Sequence, residues 1–469
     1  MIVDRYPPVR LFTLVPKLLQ DFEPVLAQLD RLLEDDAIFR RIKADMAQRR
    51  PHSLTLGRPG TPVEVVLRLL VVKRLHGWSY EEVERFVADS LVLRQFCRVY
   101  LEKVPDDTTL LRWAHVIAPA TLAALNDRVV ALARQLKVTR GRKLRLDSTV
   151  VGTTIHHPSD SSLLADGVRV LSRLLRRAKD VLGEAVDLGR VVFRTRTRST
   201  RRLVQSLPRL GRRQGEAATQ AMRQAYAKLI TVAKTTHAQA IRVSTVLRER
   251  SEPPAQRLAG QLDTFLPRVE QAIAQAVRRV LQGETVPAGE KIVSLFEPHT
   301  QIIVRHKAGK PVEFGRKLWL EEVDGGIVSG WRLLDQPGQD APYLMPSLVA
   351  HQERFGRPPW LMAADRGVFS AQNEELAKAA GVKRVVIPTT GKITPEQARA
   401  EKQRWFRRGF RFRAGIEGRI SVLQRCYGLD LCRDHGEEGM GRWIGWGIVA
   451  GNLERIARTV AARQQAQIA

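Results

Sequence analysis

PPWLMAADRGVFSAQNEELAKAAGVKRVVIP, residues 358–388, holds an apolar run that stops abruptly at Asp365, a turn at Arg366-Gly367, a helix-like stretch and a second apolar run. Its pattern predicts a strand (WLMAAD), a helix (AQNEELAKAAG) and a second strand (RVVIP). A charge is rarely set beside a core without a partner or a task. Asp365 falls at the carboxyl end of the predicted strand, where the loops of open α/β sheets build ligand sites. It also precedes a helix, but Ser370 is the better cap by position.

The neighbouring segments extend this unit into a sheet. KIVSLF (291–296) and TQIIVRHKAG (300–309) carry strand signals. GKPVEFGRKLWLEEVDGGIVSGWRLL (309–334) predicts two strands joined at Asp324-Gly325-Gly326, and SLVAHQERFG a helix after them. Far upstream, RKLRLDSTVV (142–151) predicts another strand with Asp147 in its middle, as an inward charge or a kink at a sheet edge. FRFRAGIEGRISVLQR (410–425) and GWGIVAGNLERIARTVAARQQ (445–465) are helices fit to cover the sheet. Strand, hairpin and strand–helix–strand make a mixed α/β sheet with flanking helices.

The N-terminal part is helical. Residues 1–46 space their apolar positions three and four apart, and RRPHSLTLGRPGTP (49–62) follows as a linker. VEVVLRLLVVKRLHG closes a helix on Gly77. Ser79 and Glu82 form a capping box for a second helix, running to about Phe96. A third is capped by Asp107 or Thr108, and TLAALNDRVVALARQLK makes a fourth. The expected organisation is an N-terminal helical segment (1–50), a helical domain (57–137), a mixed-sheet domain from 141–159 and 286–455, and a helical insertion (160–285). The helical domain is either a helix-turn-helix variant that binds DNA or a packing module.

Composition sets the class of partner. The 469 residues carry a net charge of +28, which predicts a polyanion, most plausibly nucleic acid held through its phosphates. Residues 169–213 contain fourteen Arg and Lys against three Asp and Glu, densest in FRTRTRSTRR. Arg194, Arg196, Arg198, Arg201 and Arg202 are therefore expected along a phosphate track. Cys97, Cys426 and Cys432 show no metal-ligand spacing and no disulfide framework. MIVDRYPPVRLF lacks a signal-peptide core, and WIGWGIVAGNL (443–453) is too short to span a bilayer. A cytoplasmic, nucleoid-associated protein without a membrane role is expected.

A third carboxylate joins Asp147 and Asp365. Phe410, Arg413, Glu417 and Gln424 share one face of the 410–425 helix, and Gly415 and Gly418 beside Glu417 hint at close approach by another backbone or a ligand. Arg413 is placed to steady Glu417 or to hold a DNA phosphate. Two aspartates on strands and a glutamate on a later helix would make an oxygen site for Mg²⁺. A pair of such ions about 3.5–4 Å apart activates an attacking water or 3′-hydroxyl and stabilises the leaving oxygen. Glu437 and Glu438, in DHGEEGMG, read as solvated loop carboxylates. His156-His157 read as loop residues rather than ligands.

With these residues in view, the chain resembles the DDE transposases of bacterial insertion sequences, over residues 57–455. The likeness is carried by GRPGTPVEVVLRLLVVKRLHGWSYEEVERFVADSLVLRQF with PDDTTLLRW, by LRLDSTVV, GKPVEFGRKLWLEE and LMAADRGVFS, and by the Glu417 helix. The family's Tyr, Arg, Glu and Lys around the last acid are matched by Arg413 and Glu417. Phe410 replaces the Tyr, and Gln424 the Lys, with Arg425 beside it. The resemblance implies an RNase H-like catalytic domain with Asp147, Asp365 and Glu417 as catalytic metal ligands. It further implies Mg²⁺ or Mn²⁺ as cofactor, Arg413 and Arg425 on DNA, and a homodimer or higher oligomer on transposon ends and target DNA. A DNA-binding descendant without activity and a stand-alone nuclease are the competing readings.

Overall fold

A computed structural model describes residues 1–7, 23–50, 52–183, 193–212, 214–307, 310–335, 338, 340–390 and 394–468. The chain divides into two compact units, Met1–Gly152 with Arg316–Ala469, and Thr153–Gly315.

The first unit opens with α1 (Pro24–Leu33), α2 (Asp36–Gln48), α3 (Val63–His76), α4 (Tyr80–Asp89), α5 (Leu91–Phe96), α6 (Asp107–Val116), α7 (Pro119–Gln135) and strand β1 (Lys143–Thr153). Every residue of α3 from Val63 to Arg74 is buried, the signature of a helix surrounded by others. One of them, Arg68, is fully enclosed. Its Nε donates to Glu64 at 3.1 Å, and its Nη1 to Asp30 at 2.6 Å and to the Phe96 carbonyl at 3.0 Å. The capping box at Ser79 and Glu82 is present.

Three expectations change here. Residues 1–7 are not helical: Ile2 donates to the Ser53 carbonyl, and Val63 donates to that of Val3, so this stretch lies along the linker. The helix from Ser79 ends at Asp89, because the Ser90 hydroxyl accepts from Leu93 N–H and starts α5. Asp106, not Asp107 or Thr108, caps α6 through Thr109 N–H. Residues 8–22, part of the expected first helical stretch, lie outside the described residues.

The second unit is built on α8 (Asp160–Leu182), α9 (Thr197–Gly211), α10 (Glu216–Arg248) and α11 (Pro253–Ala276). Leu164, Leu171, Leu229, Val243, Leu262 and Ala276 meet in its core. β2 (Gln301–Lys307) pairs antiparallel with the first part of β3 (Lys310–Val323), Gln301 opposite Gly315. Lys291–Phe296, expected as a strand, is irregular. Ile292 N–H is taken by the Gln275 side chain, and the Ser294 hydroxyl accepts from Phe296 and Glu297 N–H. Ile292 and Leu295 join the helical core instead of a ladder.

The first unit resumes within β3 and continues through β4 (Ile327–Leu333), α12 (Leu344–Phe355), β5 (Leu361–Ala364), α13 (Ala371–Ala379), β6 (Arg384–Val386), α14 (Pro395–Lys402), α15 (Arg404–Tyr427), β7 (Leu431–Cys432) and α16 (Gly436–Ile468). β3, β1, β5 and β6 lie side by side, β4 pairs with β3, and β7 with β1. The β3–β4 hairpin is antiparallel, with Val323 opposite Ile327 across the expected Asp324-Gly325-Gly326 turn. β1, β5 and β6 are parallel neighbours. The fold is thus a mixed α/β sheet with a large helical complement. WIGWGIVAGNL lies in α16, with Ile444, Ile448, Asn452 and Leu453 buried. No single helix among the described residues is long and apolar enough to cross a membrane. α6 and α7 together pass that test only as a pair bent by 83°.

His351 on α12 gives this unit a measurable pH response. The ring is fully buried, donates from Nε2 to the Gly141 carbonyl at 3.0 Å and stacks on Phe355. Gly141 has φ +62°, and a Cβ there would strike the Phe355 ring. Burial holds the imidazole down at about 4, against 6.5 for a free histidine. The folded pKa lies below the unfolded one, so the unfolded chain binds the extra proton between those values. Stability contributed by neutral His351 is therefore present above about 6.5 and lost as pH falls towards about 4, at up to about 1.4 kcal/mol per pH unit. Denaturant titrations should show this slope in the native chain and its reduction in His351→Gln. An identical slope in both would exclude His351 as its source.

Candidate active site

β1 and β5 run parallel with Leu146 opposite Ala364. Asp147 is therefore the next residue along β1, and Asp365 the next after the end of β5. Asp147 lies in the middle of β1, as the sequence predicts, and Asp365 just past the end of the neighbouring β5, so the two are close in space. Asp365 does not cap α13, since Ser370 accepts from Asn373 N–H at 3.0 Å. Asp147 is mostly buried (16% exposed) and Asp365 is open to solvent at 53%.

α15 brings the third acid across the sheet. At its start, a Cβ on Gly409 would come within 2.5 Å of Val386 on β6. Further along, Gly415 leaves room for the Arg145 guanidinium, which donates to the Phe412 carbonyl and to both Glu322 oxygens. The close neighbour at 415 is thus the Arg145 side chain rather than the backbone or ligand that the sequence suggests. Gly418 has open space around it, so no described backbone approaches there. Ile416 and Leu423 point into the core. Gln424 donates to Thr149 Oγ1 at 3.1 Å and fastens the last turns of α15 to β1.

The helix face between these anchors presents Arg413 and Glu417. Arg413 Nη2 lies 3.6 Å from Asp147 Oδ2 and 3.3 Å from Asp365 Oδ1, and Nη1 lies 3.1 Å from Glu417 Oε1. One guanidinium touches all three acids. The two aspartate oxygens share a single nitrogen, so they lie less than twice 3.6 Å apart. Among the described residues, no three His, Cys, Asp or Glu side chains are disposed to hold one ion as they stand. Arg413 occupies the middle of the set. The exposed Phe410 ring centroid is 6.0 Å from its guanidinium carbon.

Burial pushes the Asp147 carboxyl up to about 6, helped by the nearby Asp365 and Asp340 charges and opposed by Arg413 and by Ser148 N–H. Asp340 is absent from the sequence-based candidates. It accepts from the Ser148 hydroxyl at 2.8 Å and pairs with Lys317 at 2.7 Å. In sequence it sits in a Gly- and Pro-rich loop, where a carboxylate has no distinguishing pattern.

The remaining candidates are placed as follows. Glu437 and Glu438 are in the first turn of α16, not a loop. Glu437 pairs with the buried Arg316 at 2.7 Å, and Glu438 with Arg442 at 3.4 Å. Arg425 is exposed and lines a cavity of about 750 Å³ together with Lys73, Tyr80 and Trp443. Burial lowers the Lys73 amine there to about 8, and the amine sits 4.4 Å from the centre of the Tyr80 ring. In the second unit, Arg194, Arg198, Arg201 and Arg202 are exposed. Arg196 is half-buried and donates to Gln239 at 2.6 Å, so it is committed to the fold. His156 lies 3.4 Å from Asp166 and His157 packs edge-on to Phe314.

Comparison with known proteins adds an independent line. Residues 17–116 match the family model of a transposase domain (DUF772). This match supports a transposase family for the chain and covers the helices from α1 to α6. An uncharacterized protein, ORF8 in the nfe locus of Rhizobium meliloti, is 30% identical over 130 residues, 26% of this chain and 61% of the relative. The chain thus spans about three fifths of that relative's length. No solved structure matches the chain.

Proposed function

We propose that this protein is a DDE transposase, with an RNase H-like catalytic sheet, that cuts DNA at the ends of an insertion sequence and joins the 3′-ends to target DNA. The observation that carries the reading is the gathering of Asp147, Asp365 and Glu417, from two parallel strands and a crossing helix, around one guanidinium, that of Arg413. The donor set is carboxylate oxygen throughout, which suits Mg²⁺ or Mn²⁺, and the Arg413 guanidinium already stands among the three as a cation. Such ions, when bound, supply an activated water or 3′-hydroxyl and a stabilised leaving oxygen.

The chain's own residues do the rest. Asp147 and Asp365 hold fixed positions because β1 and β5 are in register. Glu417 is delivered by a helix pinned through Gly409, Gly415 and Gln424. Arg316 and Arg442 keep Glu437 and Glu438 occupied elsewhere. Arg194, Arg198, Arg201 and Arg202 offer a phosphate track, and the chain acts as a homodimer or higher oligomer on its DNA.

A single assay separates this function from its competitors. Full-length protein is incubated with Mg²⁺, a duplex ending in the element's terminal repeat and a supercoiled target. The expected result is cleavage at the repeat boundary followed by joining. Binding without cleavage would leave a DNA-binding descendant, and cleavage without joining a nuclease.

A further inference from the structure

Arg413 is more than a neighbour of Glu417. Among the described residues, Asp147, Asp365 and Glu417 each have Arg413 as their ion-pair partner and no other. Three carboxylates against one guanidinium leave an excess of two negative charges, so Arg413 balances the set only in part. The Arg413 side chain is 11% exposed, and its Nε is buried without an acceptor. It is held by carboxylates at its two terminal nitrogens alone.

A guanidinium and a divalent ion cannot share this place. The ion needs the oxygens that Arg413 now binds, and two cations side by side repel strongly in a partly buried site. The displaced side chain has a ready alternative: the exposed Phe410 ring one turn earlier offers an aromatic face, and a planar guanidinium fits a phosphate through two donors.

We propose that Arg413 gates the triad: it pairs with the carboxylates until a divalent ion displaces it, and it then takes a phosphate of the DNA substrate. The inference rests on the DDE reading above. Ion and DNA thereby bind cooperatively, each raising the affinity of the other by the same factor. A chain not engaged on DNA keeps its acids paired and its ion affinity low, which protects bulk DNA from unproductive cutting.

The test is Ca²⁺ binding to the full-length protein by calorimetry, with and without a terminal-repeat duplex, in native, Arg413→Met, Arg413→Lys and Asp147→Asn chains. Native protein should bind Ca²⁺ about tenfold or more tightly with DNA than without it. Arg413→Met should bind Ca²⁺ about tenfold more tightly than native protein in the absence of DNA and gain clearly less from DNA than native protein does. Arg413→Lys, with a point charge and no fork, should fall between them. In chelator, Arg413→Met should melt earlier than native protein and recover more on adding Ca²⁺. Equal ion affinities in native and Arg413→Met chains, or an equal gain from DNA, would overturn the gate. Should Arg413→Met fail to fold, the Arg413→Lys comparison decides in the same way. Failure of the DDE reading looks different: Asp147→Asn would then bind Ca²⁺ as well as native protein does.

Discussion

Asp147→Asn, Asp365→Asn and Glu417→Gln should each reduce DNA cleavage by roughly a thousandfold or more while leaving DNA binding in place, because removal of one member of a catalytic set disables the whole. Each change deletes one charge with almost no change in volume. The three differ in stability. Asp147 is mostly enclosed, and its ionised form is disfavoured by burial and by the Asp365 and Asp340 charges. Asparagine relieves that conflict, so Asp147→Asn should melt no lower than native protein, the usual mark of a residue kept for function. Asp365 and Glu417 are 53% and 67% exposed, and their changes should be near neutral for folding. Glu437→Gln is the control. It weakens an ion pair with Arg316, so it should lower the melting temperature slightly and leave cleavage unchanged. Normal cleavage by Glu417→Gln together with collapse in Glu437→Gln would move the third acid to α16.

What is legible in the sequence is local. The placement of Asp147 and Asp365 on strands follows from two apolar runs that each end in, or enclose, a carboxylate, whereas their parallel pairing does not. The Asp324-Gly325-Gly326 turn, the Ser79–Glu82 capping box and the Ser370 cap are written in residues within three positions of one another. What is hidden depends on distant partners. Lys291–Phe296 has strand composition, but Gln275 takes one of its backbone donors and the helical core takes its apolar side chains. Glu437 is solvated, as it reads in sequence, at 63% exposed, but its pairing with Arg316, 121 residues away, is not written locally. Helical spacing alone foretells the Arg413–Glu417 pair. The reach of Arg413 to Asp147 and Asp365 needs the sheet register and the helix crossing together, and no local pattern encodes it.

Replacing Arg194, Arg198, Arg201 and Arg202 by Gln should weaken binding to DNA of any sequence and flatten its salt dependence. The physical basis lies in how α9 is built. Thr200 and Leu207 are buried, while Arg198, Arg201 and Arg202 project to solvent from the same helix, so the basic side is free of packing duties. Every phosphate that is no longer neutralised takes about 0.9 off the slope of log affinity against log salt, and four such phosphates lower affinity by roughly 10²- to 10³-fold at low salt. Arg196 is left in place because its guanidinium holds Gln239, and its removal would confuse binding with folding. Arg248→Gln in the same unit serves as the charge control. That arginine is paired with Asp263, so its replacement should change the slope little. The measurement is fluorescence anisotropy of a labelled duplex across a salt series, with native and variant chains compared for thermal stability. An unchanged slope in the fourfold variant, with the fold intact, would make α9 a packing or dimerisation element and move the phosphate track elsewhere.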